Sequence, residues 1–556
     1  MHWKTGCSIA ATVLLFPAVS QAADYYVSTA GSDSAAGSQA SPFRTIQYAA
    51  DTATSPGDTV HIMGGTYNEA GRAIRYFSGD GIVLTHSGSQ GNPITFKPLA
   101  GHEGQVIVDL CTTGPTTNCP TNSGVRTRAG FVLGPGTSHV TIEGLEIRNA
   151  STGGIWVAAS PSEAYSVGLV IRKNHIHHTW GGDNTGGIRP DVTDGILIED
   201  NVIHDTIGGA ANGTAQNGSG IHSYEMKNAI IRGNEIYSGT GNGIRDKWPD
   251  LVGNVLIENN RIHDVAVGIR IGGATGSDVA HDHRISHNVI YNTEACLRTV
   301  PELVPPTTKM QIWNNTFVDC GSGLSIAHYP DTQIWNNIIV DGSGGAAAMM
   351  SIENAYHDPG GGADQHIAMS ANITKSDCNL FYFYPAAAGH QPFLIEEVPE
   401  SLAQWKARGY DAHSVSADPL FIDKAAHDFG LRAGSPALGA GCDGSDLGAG
   451  GAGAIVGVDG GGDGAAPDGA TADGGARRDA GGVSPDGSAP GAADGGNGGN
   501  GVTPGSGAPM PAGCDCRVGE GPGRESGVLS LLSLTVALAF RSRRGNSGAR
   551  ADRPQN

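Results

Sequence analysis

A recurring asparagine constrains this chain more than any other feature. Seven segments share one pattern: a β-branched or aliphatic residue, a spacer, Asn, a spacer, an apolar residue, then often His or Tyr. They read VIRKNHIHH, LIEDNVIHD, IIRGNEIYS, LIENNRIHD, RISHNVIYN, QIWNNTFVD and QIWNNIIVD. Their asparagines are Asn174, Asn201, Asn234, Asn260, Asn288, Asn315 and Asn337, separated by 27, 33, 26, 28, 27 and 22 residues. A fixed repeat with variable insertions marks a solenoid whose loops grow from its corners. Each repeat holds short strand-type alternations and no helix-length amphipathic stretch, so the solenoid is one of β-strands. Asparagine suits a corner, because it tolerates the left-handed backbone of a sharp turn and its amide can bond the chain there. In stacked coils, each amide can also bond the next.

Two strands flank each asparagine. A third strand usually begins with Gly plus an aliphatic: GGIW, GGIR, SGIH, NGIR, VGIR, ACLR and SGLS. If Ile155, Ile188, Ile221, Ile244, Ile269, Leu297 and Leu324 point inward, the residue after each points outward. That outward column is Trp156, Arg189, His222, Arg245, Arg270, Arg298 and Ser325, with rungs about 5 Å apart. Two residues further along, the same face carries Asp191, Tyr224 and Lys247. Stacked arginines repel, so filing them gains no stability. The column reads as a basic strip for a linear polyanion. Asp191, Asp246 and Glu225 lie near enough in sequence to pair with some of its arginines. A second ladder, His177, His204, Tyr237, His263 and Tyr291, reads as a solvated face of amphipathic rings. No metal site is expected there, because ligands supplied one per coil seldom converge.

Before the repeats, Asp24 to Ser28 alternates like a strand, and Phe43 to Ala53 reads as a short helix. Ser41 is its expected N-cap, with Pro42 in the first turn. Thr59 to Met63 reads as the first buried strand, and a helix at this point would cover the open end of the stack. These features together resemble the right-handed parallel β-helix superfamily of pectate-lyase-like proteins over roughly Asp24 to Gly441. The opening YYVSTAGSDSAAGSQASPFRTIQYAA and the closing Asp418-Pro419-Leu420-Phe421, Phe429-Gly430-Leu431 and Gly434 to Leu438 are similar to the entry and exit segments of secreted polysaccharide-acting members. The resemblance implies the right hand; periodicity alone implies a β-solenoid. The expected fold is all-β, a single-stranded right-handed parallel β-helix with an N-terminal capping helix.

The ends of the chain speak of location. Residues 1–22 read as a signal peptide, with Lys4, an apolar Ile9 to Phe16 and small residues at Ser20 and Ala22. Residues 23–443 form the β-helix domain. Residues 444–513, mostly Gly, Ala, Asp, Pro and Ser, cannot bury a core and read as a disordered linker. Residues 514–556 hold Cys514 and Cys516, an apolar run from Val528 to Phe540, then Arg541, Arg543 and Arg544. That order resembles the C-terminal sorting signal of myxobacterial surface proteins, which implies Cys514 and Cys516 as the anchor region. A plain membrane anchor is the other reading. Both place the β-helix outside the cytoplasm, tethered to the outer cell surface. In an oxidising compartment, Cys111, Cys119, Cys296, Cys320, Cys378 and Cys442 can form three disulfides. Cys111 with Cys119 is the easiest pairing, and Cys296 with Cys320 the next.

The chain has a formal net charge of −20, which argues against nucleic-acid binding. An anionic partner must therefore meet a local basic site. Uronic-acid polymers are such partners. Their cleavage by β-elimination needs a cation on the carboxylate, a base for the adjacent carbon acid, and an acid for the leaving oxygen. Lys247 is the best base, since crowding arginines favour its neutral form. Arg270 can serve the leaving oxygen and Arg245 the carboxylate, with Tyr224 and His222 as alternative acid and base. Trp156, Arg189, His222, Tyr224 and Arg298 would bind substrate. The stretch DKWPDLVGNVLIENNRIHDVAVGIRIGG is similar to the active segment of chondroitinase B and related alginate lyases, which implies Lys247 as base and Arg270 as acid. Those enzymes carry acidic calcium ligands just before the lysine. Ser238 to Arg245 holds no acid, so Arg245 is the expected neutraliser and calcium the one cofactor the resemblance raises. A glycoside hydrolase would need grouped carboxylates, for which Asp191, Asp194 and Asp246 are the candidates. A non-catalytic glycan-binding surface protein could use the same strip. A monomer is expected, its tail meeting the membrane or sorting machinery.

Overall fold

A computed structural model describes residues 21–450, apart from 70, 75–78, 116–118, 120–127, 161, 182–183, 209–217, 248–252, 273–279, 301–306, 342–347, 357–364 and 384–391. The readings on the signal peptide, Cys514, Cys516 and the apolar tail lie outside the described residues.

The repeats stack as a parallel β-helix. Strands before the asparagine corner form one 12-stranded sheet, which runs from Asp24–Val27 to Ile373–Asp377. The other two faces are bonded into a second sheet of 24 strands, because Arg261–Gly272 and Val289–Val300 run unbroken through both. Register is in phase from coil to coil: Ile244 pairs with Ile269, and Ile269 with Leu297. All seven aliphatics assigned inward, from Ile155 to Leu324, are fully buried. Each contributes roughly 1.5–3 kcal/mol by leaving water. The glycines before them are demanded by space. A Cβ on Gly243 would come within 2.4 Å of Ile262 Cγ2 and 2.7 Å of the Gly268 carbonyl oxygen.

The asparagine ladder forms, but with a different division of labour. Nδ2 of Asn174, Asn201, Asn234, Asn260, Asn288 and Asn315 donates to Oδ1 of the next ladder asparagine at 2.9–3.1 Å. The same Oδ1 accepts the preceding asparagine's backbone N–H at 3.0 Å. The ladder continues to Asn379 and ends on Asp411, neither visible in the repeat pattern. The left-handed residue is not the ladder asparagine. It is the residue before it: Lys173, Asp200, Gly233, Asn259, His287, Asn314 and Asn336, with φ between 51° and 64°. The buried amide holds the corner firmly enough that even lysine adopts this conformation, at a cost of roughly 1–2 kcal/mol.

A short helix, α1, spans Ile46–Thr52 and buries Ile46, Ala49 and Ala50 in the main core. Its N-cap is Thr45, not Ser41, and Thr45 accepts from Tyr48 N. Glu69 supplies a further cap from a distant loop, accepting from Ile46 N at 2.7 Å. Sequence proximity could not reveal that partner. Three disulfides form: Cys111–Cys119, Cys296–Cys320 and Cys378–Cys442. At the far end the packed body passes residue 443. Leu447 is fully buried, and Gly448 N bonds Asn336 O at 2.9 Å. Composition placed these residues in the linker, but one buried leucine and the corner carbonyls fasten them down.

Candidate active site

The outward column exists in the expected register. Trp156 pairs with Arg189, His222 with Arg245, Arg245 with Arg270, Arg270 with Arg298, and Arg298 with Ser325. Beside it, Asp191 pairs with Tyr224 and Tyr224 with Lys247. Lys247 and Arg270 are therefore diagonal neighbours on adjacent rungs.

Pointing away from the core did not put these side chains in water. Trp156 is 3% exposed, His222 0% and Arg245 4%, while Arg189, Tyr224, Lys247, Arg270 and Arg298 are half-buried. Alternation fixes only the side of the strand. Trp156 leaves the core yet packs on Ile74, Ala129, Val132 and Ala158.

Asp191 organises one end of the strip. Its Oδ2 accepts from Trp156 Nε1 at 3.0 Å and from Arg189 Nε at 2.9 Å. Arg189 lies over the rings of Trp156 and Tyr224, at 5.0 and 5.5 Å from their centroids. Its Nη1 donates to the carbonyl of Asn184. Lys247 Nζ donates to Asn184 Oδ1 and Tyr224 Oη, each at 3.2 Å. Asn184 was not expected here. It sits in the turn before its strand, with φ 58°, and no motif marks it.

Burial outweighs the arginine at Asp191 and pushes its carboxyl up to about 7. An acid whose folded pKa is raised binds more protons folded than unfolded. Its contribution is complete below the unfolded pKa of about 4 and is lost as pH rises through about 7. Asp191→Asn should therefore gain thermal stability relative to the parent chain as pH rises from about 4 to 8. Parallel melting curves across that range check it; a constant difference would show that Asp191 is ionised throughout.

His222 is held far below its ordinary range, first by burial and then by Arg189, Arg245, Lys247 and Arg270. Arg245 pairs with His222 on the next rung, and the imidazole Nδ1 lies 3.4 Å from Ser219 Oγ. Arg270 is itself lowered by burial and by Arg298. Arg298 has no hydrogen-bond or ion-pair partner among the described residues.

The acids offered as arginine partners divide. Asp191 takes Arg189. Asp246 turns into the core, where its oxygens meet Ser223 Oγ at 2.7 Å and His283 Nε2 at 2.8 Å. The reason is alternation: Asp246 lies between two outward residues, Arg245 and Lys247. Glu225 is buried and accepts from Tyr165 Oη at 3.5 Å. Asp194 meets Asn228 and Lys227 at the end of its strand. Asp191, Asp194 and Asp246 therefore do not converge as a hydrolase pair or trio. Nor do the described acids near Lys247 fit calcium, which takes six to eight oxygens. Asp191 is engaged by Trp156 and Arg189, and Asp246 faces the core.

The second ladder forms as stacked rings. Successive centroids from His177 to Tyr291 lie 4.6–5.2 Å apart, with planes within 14°. Its two ends are buried, while His204, Tyr237 and His263 between them are half-buried. Tyr291 is 2% exposed, beneath His427 and Phe429 of the closing hairpin.

Fold and site together define a parallel β-helix protein with a cationic strip on one face. A family model described as "Pel9A-like, right handed beta helix region" matches residues 25–263, and a second, "Right handed beta helix region", matches residues 187–357. An uncharacterized protein, YwoF of Bacillus subtilis, is 26% identical over 481 residues, covering 74% of this chain and 92% of its own. Pectate lyase PEL9 of Emericella nidulans is 39% identical over 104 residues; the match spans 19% of this chain and 22% of that enzyme. Among solved structures, pectate lyase Pel9A superposes with a TM-score of 0.48 at 15% identity, covering 78% of this chain and 97% of that one.

Proposed function

We infer that this chain is a secreted, surface-tethered polysaccharide lyase that cleaves an anionic, uronic-acid-containing polymer by β-elimination. The observation that carries this reading is the file of Arg189, Arg245, Lys247 and Arg270 on consecutive rungs around the buried His222. Sheltered cations interact with a carboxylate far more strongly than solvated ones. An acidic chain without a polyanionic partner gains nothing from assembling them. In this reading Arg245 neutralises the uronate carboxylate. Lys247, held by Asn184 and Tyr224, takes the proton from the adjacent carbon. The electron pair forms the carbon–carbon double bond, the carbon–oxygen bond breaks, and Arg270 stabilises or protonates the leaving oxygen. Trp156, Arg189, His222, Tyr224 and Arg298 shape the rest of the strip. The neighbouring enzymes that act on polysaccharides agree with this substrate class. The signal peptide, the linker and the tail with Cys514 and Cys516 supply the surface location.

Incubation of the body with a panel of uronate polymers, followed by ultraviolet absorbance, should detect unsaturated ends. No unsaturated product from any uronate overturns the reading. New reducing ends without unsaturation would identify a hydrolase. Binding without cleavage, weakened by salt and by Arg270→Ala, would identify a glycan-binding surface protein.

A further inference from the structure

Away from the strip, the densest group of ligating side chains stands where the ring ladder begins. Glu146, His175 and His177 each offer a ligand atom, and these atoms lie within 4.8 Å of one another. The register assembles them. Glu146 pairs with His175 and Arg148 with His177, while His177 pairs with His204 on the next coil. His175 and His177 are alternate residues of one strand, so both leave the same side of it.

Further along, each coil adds one ring to a parallel stack. His175 departs from that stack. Its ring is inclined by 36° and 37° to His177 and His204, and its Nε2 lies 2.8 Å from His204 Nε2. His204 Nδ1 lies 2.8 Å from Asp205 Oδ2. A carboxylate only accepts, so that nitrogen carries the hydrogen and His204 Nε2 keeps the lone pair. Ser238 Oγ holds Asp205 in turn, at 2.8 Å. A carboxylate behind an imidazole is the arrangement that orients metal-bound histidines. His177 Nε2 stands 3.3 Å from Glu146 Oε1, which also accepts from Arg148 Nη1 at 3.0 Å. The remaining group against this cluster is His178, with Nδ1 2.7 Å from His177 Nδ1 and 3.8 Å from Asp205.

We propose that Glu146, His175, His177 and His204 form a site for a borderline divalent transition ion, with zinc as its simplest probe. Imidazoles with one carboxylate are the ligands such ions take. Counting one ring per coil leaves out His175, a second ring on the same strand. A comparable group, Asp377, Cys378 and His413, offers no thiolate, since Cys378 is tied to Cys442.

The full chain, prepared without a polyhistidine tag and stripped with chelator, should retain one zinc ion in equilibrium dialysis. With cobalt(II) it should show the visible absorption of a nitrogen-ligated ion. His175→Ala and Glu146→Gln should each weaken zinc binding by roughly tenfold or more. His175 is exposed, so its replacement leaves the fold intact. His263→Ala, a stacked ring further along, should leave binding unchanged. Retention no greater than in His175→Ala, or equal loss in His263→Ala, overturns the proposal.

Discussion

Lys247→Ala should lower the release of unsaturated uronate by about 100- to 10,000-fold, the range a positioned general base supplies. The ammonium contributes two hydrogen bonds of 3.2 Å, to Asn184 and Tyr224, and lies half-buried at a strand end. Its removal leaves the aliphatic core untouched, so the melting temperature should move little. Lys247→Arg separates base from charge. A guanidinium keeps the positive charge but enters the reaction already protonated, with no lone pair to take the carbon proton, so this variant should bind substrate and fail to turn it over. Retained turnover in Lys247→Arg would reduce Lys247 to an electrostatic role. Retained turnover in Lys247→Ala would pass the base role to His222, the neutral imidazole among the same cations.

Asn260→Ala should destabilise the body by about 2–5 kcal/mol, at roughly 1–3 kcal/mol for each buried group deprived of its partner. Asn260 is fully buried. Its Nδ2 donates to Ile231 O at 2.9 Å and to Asn288 Oδ1 at 3.0 Å, while its Oδ1 accepts from Asn234 N and Nδ2. Alanine removes all four, but Asn234 Nδ2 keeps Ile198 O and Arg232 O, and Asn288 Oδ1 keeps Asn260 N. Only Asn234 N and Ile231 O therefore lose their side-chain partner. The urea midpoint should fall accordingly. Asn260→Asp should be worse at neutral pH than in acid, because a carboxylate there would face Asn288 Oδ1. A midpoint unchanged by Asn260→Ala would mean that the ladder follows the coil geometry rather than sustaining it.

Much of the architecture was legible because a stacked coil converts sequence spacing directly into spatial neighbourhood. Once the Gly-aliphatic openings of the third strand were aligned, the pairing of Arg245 with Arg270 and of Tyr224 with Lys247 followed from alternation. The same logic extended to the inward aliphatics and to the outward side of Lys247. It misassigns the left-handed residue, because an asparagine's tolerance of that conformation does not make the conformation its task. In the fold its task is the amide bond, and the preceding residue bends.

The chain by itself determined which side of each strand a residue leaves and which rung it occupies, because both depend on alternation and period alone. Only the tertiary structure decided what meets it there. Asp191 took Trp156 and Arg189, while Asp246, inward by alternation, met Ser223 and His283 there. Asn184 reached Lys247 from 63 residues away, and Glu69 reached α1 from a distant loop. Burial of Trp156 likewise came from Ile74, Ala129 and Val132 on neighbouring coils. Solvent exposure and proton affinity depend on everything packed around a group, and a repeat pattern specifies only the group and its next rung.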